Sequence, residues 1–142
     1  MTTKASVPRI LVLIPALAAV AAAASSCVLT TGRKTADPVP VLAGQPPLTA
    51  ADMGPAFEFF TTDLPPDKAK AQIFKRHRLS ASRGEYIIMK SAIGLKMLGR
   101  GGPGAAAVEA QYGTPLAVPS PSEMNLIRGL RANILRFRGG GR

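Results

Sequence analysis

Apolar positions are spread very unevenly along the chain. No charged residue falls between Ile10 and Leu29, where the sequence reads ILVLIPALAAVAAAASSCVL. At ~1.5 Å per residue, a helix over that stretch reaches ~30 Å, the thickness of a bilayer's hydrocarbon core. Lys4 and Arg9 precede the run, and Arg33 and Lys34 follow it, which puts cations near lipid headgroups at both ends. The pattern predicts a transmembrane helix or a targeting segment over residues 10–29, after a basic flank over 1–9. Pro15 is tolerable there as a kink.

Residues 30–62 read as an extended linker. Pro38, Pro40, Pro46 and Pro47 lack amide donors and fix φ. Thr49 to Met53 suggests one helical turn, stopped by Gly54-Pro55. Residues 63–98 combine a basic helix, from Pro66 to about Ala81, with an apolar segment, Glu85 to Leu98. Asp63-Leu64-Pro65-Pro66-Asp67 is a sound helix start. The apolar segment surrounds a helical wheel except at Lys90 and Lys96. It fits a helix buried among partners or lying in the membrane interface with both lysines reaching out. A strand over Tyr86 to Met89 is the other reading of that window. Residues 99–119 form a Gly/Pro-rich hinge. Residues 120–138 form a basic amphipathic helix opened by the capping box Ser120-Pro121-Ser122-Glu123. Leu126, Ile127, Leu130, Ile134 and Phe137 share one arc of it. Residues 139–142 are a tail.

Composition points the same way. Gly (14) and Pro (13) are abundant, aromatics make up only 5 %, and there is no Trp. The expected fold class is therefore mostly α: one N-terminal transmembrane helix, then extended Pro/Gly-rich linkers and two or three short amphipathic helices with little independent core. One Cys excludes an intrachain disulfide framework, and one Cys with one His leaves no ordinary zinc site. The formal net charge of +10 suits anionic partners, either lipid or nucleic acid.

Two motifs resemble known patterns. Gly99-Arg100-Gly101-Gly102-Pro103-Gly104 has the spacing of the dinucleotide-binding Rossmann fingerprint, with Glu123 where a ribose-binding acid would lie. Too little chain follows for a Rossmann domain, and Pro115, Pro119 and Pro121 break any second βαβ half, so the motif reads as a hinge between helices. Ala24-Ser25-Ser26-Cys27 resembles the lipobox of bacterial lipoproteins, which makes Cys27 a possible lipidation site. The other reading of Cys27 is a small apolar residue inside a helix.

No nucleophile–base constellation is visible, because His77 sits in a charge run and the acids are scattered. The sequence therefore predicts no enzyme, catalytic residue, cofactor or metal. The expected partner-docking residues are Phe57, Phe59, Phe60, Leu126, Ile127, Leu130, Ile134 and Phe137. The phenylalanines could instead cluster under the next helix. Lys75, Arg76, Arg78 and Arg83 are expected to meet lipid headgroups or phosphate. An anchor followed by short amphipathic helices implies a non-catalytic, single-pass accessory subunit of a large membrane complex, by architectural analogy. Its partners would be the other subunits and membrane lipids. An organellar respiratory or photosynthetic assembly comes first, in the mitochondrial inner membrane, with thylakoid or bacterial envelope behind it. Two alternatives stand beside it. One is a basic organellar ribosomal or RNA-binding protein with a cleaved targeting peptide. The other is an exported bacterial lipoprotein acylated at Cys27.

Overall fold

The computed structural model describes residues 38–140. The apolar run over 10–29 and the lipidation candidate Cys27 lie outside the described residues. All regular elements among the described residues are helical. They are α1 (Pro38–Leu42), a 3₁₀ turn (Ala50–Asp52), α2 (Met53–Thr61), α3 (Pro66–Arg76), α4 (Ala81–Met97), α5 (Ala105–Tyr112), a second 3₁₀ turn (Pro115–Ala117) and α6 (Pro121–Gly139). The alternative strand over Tyr86 to Met89 is instead the middle of α4.

The prolines that suggest an extended linker work differently in the fold. Pro38 and Pro40 fall in the first turn of α1, where a missing amide costs nothing. Pro55 likewise lies in the first turn of α2, so Gly54-Pro55 opens that helix instead of stopping a shorter one. Before it, the Thr49 amide and hydroxyl both donate to the Asp52 carboxylate, at 2.7 and 2.9 Å. Residues 38–61 are thus largely helical, and Leu42, Leu48 and Ala56 from this stretch are buried.

The basic helix ends earlier than its charge pattern suggests, at Arg76. Arg78 adopts φ 54°, the left-handed region. The Leu79 amide donates to the Phe74 carbonyl at 2.9 Å, and the Arg78 amide to the Lys75 carbonyl at 3.3 Å. This is a Schellman termination with arginine in the position that glycine usually takes. Ser80 then caps α4 by accepting from the Arg83 amide at 3.2 Å.

Helix α4 is the centre of the packing, with contacts to α1, α2, α3 and α6. Its close approaches need small residues: a Cβ at Gly84 would overlap the Phe74 ring, and one at Gly94 would overlap Ile127. The buried cluster joins Leu42, Leu48, Ala56, Tyr86, Ile87, Ile93, Val108, Ala117, Ile127, Leu130 and Ile134. Apart from Tyr86, these side chains are aliphatic. A composition poor in aromatics therefore still supplies an interior, because Ala, Val, Ile and Leu from distant segments converge on one helix. The expectation of little core misses that convergence.

Candidate functional site

The N-terminus of α6 carries a buried carboxylate. Glu123 is 3 % exposed. Its Oε2 accepts from the Ser120 amide at 2.7 Å, while Ser120 Oγ accepts from the Glu123 amide at 3.3 Å, which closes the capping box. Its Oε1 has long-range partners: the Leu48 amide and the Tyr86 hydroxyl, each donating at 3.0 Å. Lys90 Nζ lies 3.7 Å from Oε2. Lys90 is itself 5 % exposed and donates to the carbonyls of Leu116, at 2.5 Å, and Val118, at 3.2 Å. One carboxylate and one ammonium thus tie the Leu48 loop, α4, the second 3₁₀ turn and α6 together.

A second latch lies alongside. Arg83 pairs with Asp52 at 2.6 Å and donates to the carbonyls of Pro46 and Pro47. Its guanidinium carbon sits 5.0 Å from the Tyr86 ring centroid, a cation–π arrangement. The proline-rich stretch offers carbonyls without matching amides, and Arg83 uses them.

Burial pushes the Tyr86 hydroxyl well above its ordinary pKa, and the Glu123 charge and hydrogen bond push it further. Burial lowers the Lys90 ammonium, partly offset by Glu123. For Glu123, burial alone would raise the carboxyl. The Leu48 and Ser120 amides, Lys90 and the Tyr86 hydroxyl outweigh it and hold the group below its ordinary value. At neutral pH the cluster therefore holds a neutral tyrosine and a carboxylate. A cavity of about 230 Å³ opens beside it, lined by residues including Gln45, Tyr86, Lys90, Leu116 and Glu123. Tyr86, Lys90 and Glu123 bond to one another or to backbone there.

The far end of α6 is different. Phe137 is 58 % exposed, and so is Leu135. The Phe137 ring meets Phe57 of α2 edge-on, with centroids 5.8 Å apart, and Phe59 meets Phe60 the same way at 5.3 Å. Arg138 donates to the Phe60 carbonyl at 3.3 Å. The fold therefore brings the aromatic cluster of α2 to the last turns of the C-terminal helix. Arg128, Arg131, Arg136 and Arg138 are exposed on α6. Among the described residues, no carboxylate pairs with any of the four.

The residues singled out in the sequence divide accordingly. Ile127, Leu130 and Ile134 are buried in the chain's own core, so their arc is covered from within. Leu126, Phe57 and Phe60 pack partly against that core. Phe59 is half-buried, and Phe137 stays on the surface. Lys75, Arg76 and Arg78 are exposed. Arg76 pairs with Glu58 at 2.8 Å, and His77 Nε2 contacts the same carboxylate at 3.0 Å. Arg83, by contrast, has its guanidinium held by Asp52 and by the carbonyls of Pro46 and Pro47. Lys90 does not reach outward either, since its ammonium turns inward to Glu123 and the second 3₁₀ turn.

Tyr86 and Lys90 are functional to the fold, and neither is among the candidates the sequence suggests. A signal exists: Arg83, Tyr86 and Lys90 lie at i, i+3 and i+7, a polar stripe along one side of the helix.

Among the described residues, no group of His, Cys, Asp and Glu is placed to hold a metal ion, and no helix is long and apolar enough to cross a membrane. Compared with protein-family models, curated proteins and solved structures, the chain matches none.

Proposed function

We propose that this protein is a non-catalytic, single-pass accessory subunit that docks on a large membrane complex and stabilises it, in an organellar energy-converting assembly of the mitochondrial inner membrane. The uncharged run from Ile10 to Leu29 serves as the anchor. The helices after it form the part outside the bilayer. The observation that carries the reading is the surface where α2 and α6 meet. Exposed Phe137 lies there, and the arginines of the same helix have no carboxylate partner among the described residues. An apolar and cationic surface of that kind favours a partner over bulk water. The buried polar groups, by contrast, are spent on holding helices together, which is what a scaffold or docking subunit requires of them.

Purification of the tagged full chain from membranes in mild detergent tests this. The expected result is a fixed set of integral membrane proteins at constant stoichiometry. Recovery with ribosomal subunits in a salt-sensitive manner would favour the RNA-binding alternative. An intact mass lacking residues 1–26 and carrying added lipid would favour the lipoprotein.

A further inference from the structure

Three of the four arginines of α6 share one side of the helix. Arg128, Arg131, Leu135 and Arg138 lie at i, i+3, i+7 and i+10. At 3.6 residues per turn they fall within about 80° of arc, over roughly 15 Å of axis. The stripe borders the buried face made by Glu123, Ile127, Leu130 and Ile134 without belonging to it. The three arginines are exposed, and Leu135 stands among them more than half exposed. Arg128 meets the Asn125 side-chain oxygen at 2.6 Å, and Arg138 meets the Phe60 carbonyl at 3.3 Å. Both partners are neutral, so neither cancels a charge. Arg136 points elsewhere, about 120° round the helix from the middle of the stripe.

We propose that this stripe docks on a helix of a partner protein that presents carboxylates in matching register, with Leu135 seated between them. The proposal rests on the docking reading above and names the chemistry of the surface docked upon. Two features select this occupant. A spacing of i, i+3, i+7 and i+10 is that of the seam along which one helix packs on another, knob into hole. The stripe also holds cations and no acid, so its complement carries carboxylates, and a basic or unmatched partner is penalised. Exposed ion pairs contribute little one by one, so burial of Leu135 supplies the apolar part of the contact. A nucleic-acid backbone would meet the arginines through its phosphates but offers Leu135 no apolar hole. A second copy of this chain does not fit either. Among the described residues, Asp52, Glu58, Glu85 and Glu123 are taken by cations of their own fold. The exposed acids Asp63, Asp67 and Glu109 are divided between the start of α3 and α5, and make no row along a helix.

The probe is a fluorescein-labelled helical peptide of about three heptads, with Glu at the a and d positions around a central Ala that leaves room for Leu135. Its binding to the full chain in neutral detergent is read by fluorescence anisotropy at about 0.1 M salt. The expected result is saturable binding, at least about tenfold tighter than that of the same peptide with Gln for Glu. Arg128→Glu together with Arg131→Glu should weaken it by about tenfold or more, and Leu135→Ala by about fivefold. Arg136→Glu, on the other side of the same helix, should leave it within about twofold. The Arg128→Glu, Arg131→Glu chain should in turn bind a Lys version of the peptide, which shows that the variant keeps its fold. Equal affinity for the Glu and Gln peptides overturns the proposal. So does an equal loss from Arg136→Glu, or tighter binding of oligouridine or phosphatidylglycerol vesicles through the same arginines. Purification from membranes tests the complex separately. Absence of a fixed set of membrane subunits defeats the accessory-subunit reading, while the peptide series still decides the chemistry of the stripe.

Discussion

The two ends of α6 follow opposite rules. At its start, Glu123 is buried and accepts from the Leu48 loop, from α4 and from its own helix cap, and Ile127 and Leu130 continue that burial down the helix. At its end, Leu135 and Phe137 are more than half exposed, and the arginines there have no carboxylate partner among the described residues. One continuous helix thus anchors the fold at its start and exposes large apolar side chains beside its last core residue, Ile134. Charged residues in the two halves should therefore respond differently to substitution. A buried charge that loses its partner is costly, whereas an exposed one contributes little to stability.

The largest effect is expected at the buried end. Glu123→Ala removes the acceptor for Leu48, Ser120 and Tyr86 and leaves Lys90 buried beside an empty site. It should destabilise the described unit by about 3–5 kcal/mol, seen as a lowered urea midpoint by circular dichroism. The pair Arg136→Glu and Arg138→Glu should change the same midpoint by less than about 0.5 kcal/mol. A comparable loss from both would break the contrast.

Acid should act on the same end. The folded-state pKa of Glu123 lies below its ordinary value of 4.5. Its contribution is therefore fully present above that value and is lost as pH falls through the lower folded-state pKa. Urea midpoints measured from pH 7 downward should drop as the pH passes below the ordinary carboxylate range, and Glu123→Ala should flatten that dependence.

Smaller effects sharpen the picture. Tyr86→Phe removes one of two hydrogen bonds to Oε1 while the Leu48 amide still occupies it, so a loss of about 1 kcal/mol is expected in the same titration. Arg78→Gly relieves the left-handed residue that ends α3 and should raise stability by about 0.5–1 kcal/mol. No gain there would mean that the exposed Arg78 side chain makes a contribution of its own.

Sequence legibility varies along the same lines. The start of α6 is readable because a capping box is local: serine, proline and glutamate at fixed offsets specify their own geometry. The charge and apolar arc of that helix are readable too. The cover over the arc is not, because Ile127 against Gly94 is a meeting of residues far apart in the chain. The second role of Glu123 is hidden for the same reason, since Leu48 and Tyr86 reach it only through the fold. The prolines mislead because their effect depends on register. In the first turn of a helix they cost nothing, and both α1 and α2 place them there.

Native hydrogen exchange along α6, in the full chain held in nanodiscs, tests the division of that helix most directly. In neutral lipid, the amides near Ile127 and Leu130 should be protected close to the level of global unfolding, and protection should fall towards Arg136 and Arg138. Uniform protection along the helix would contradict the account.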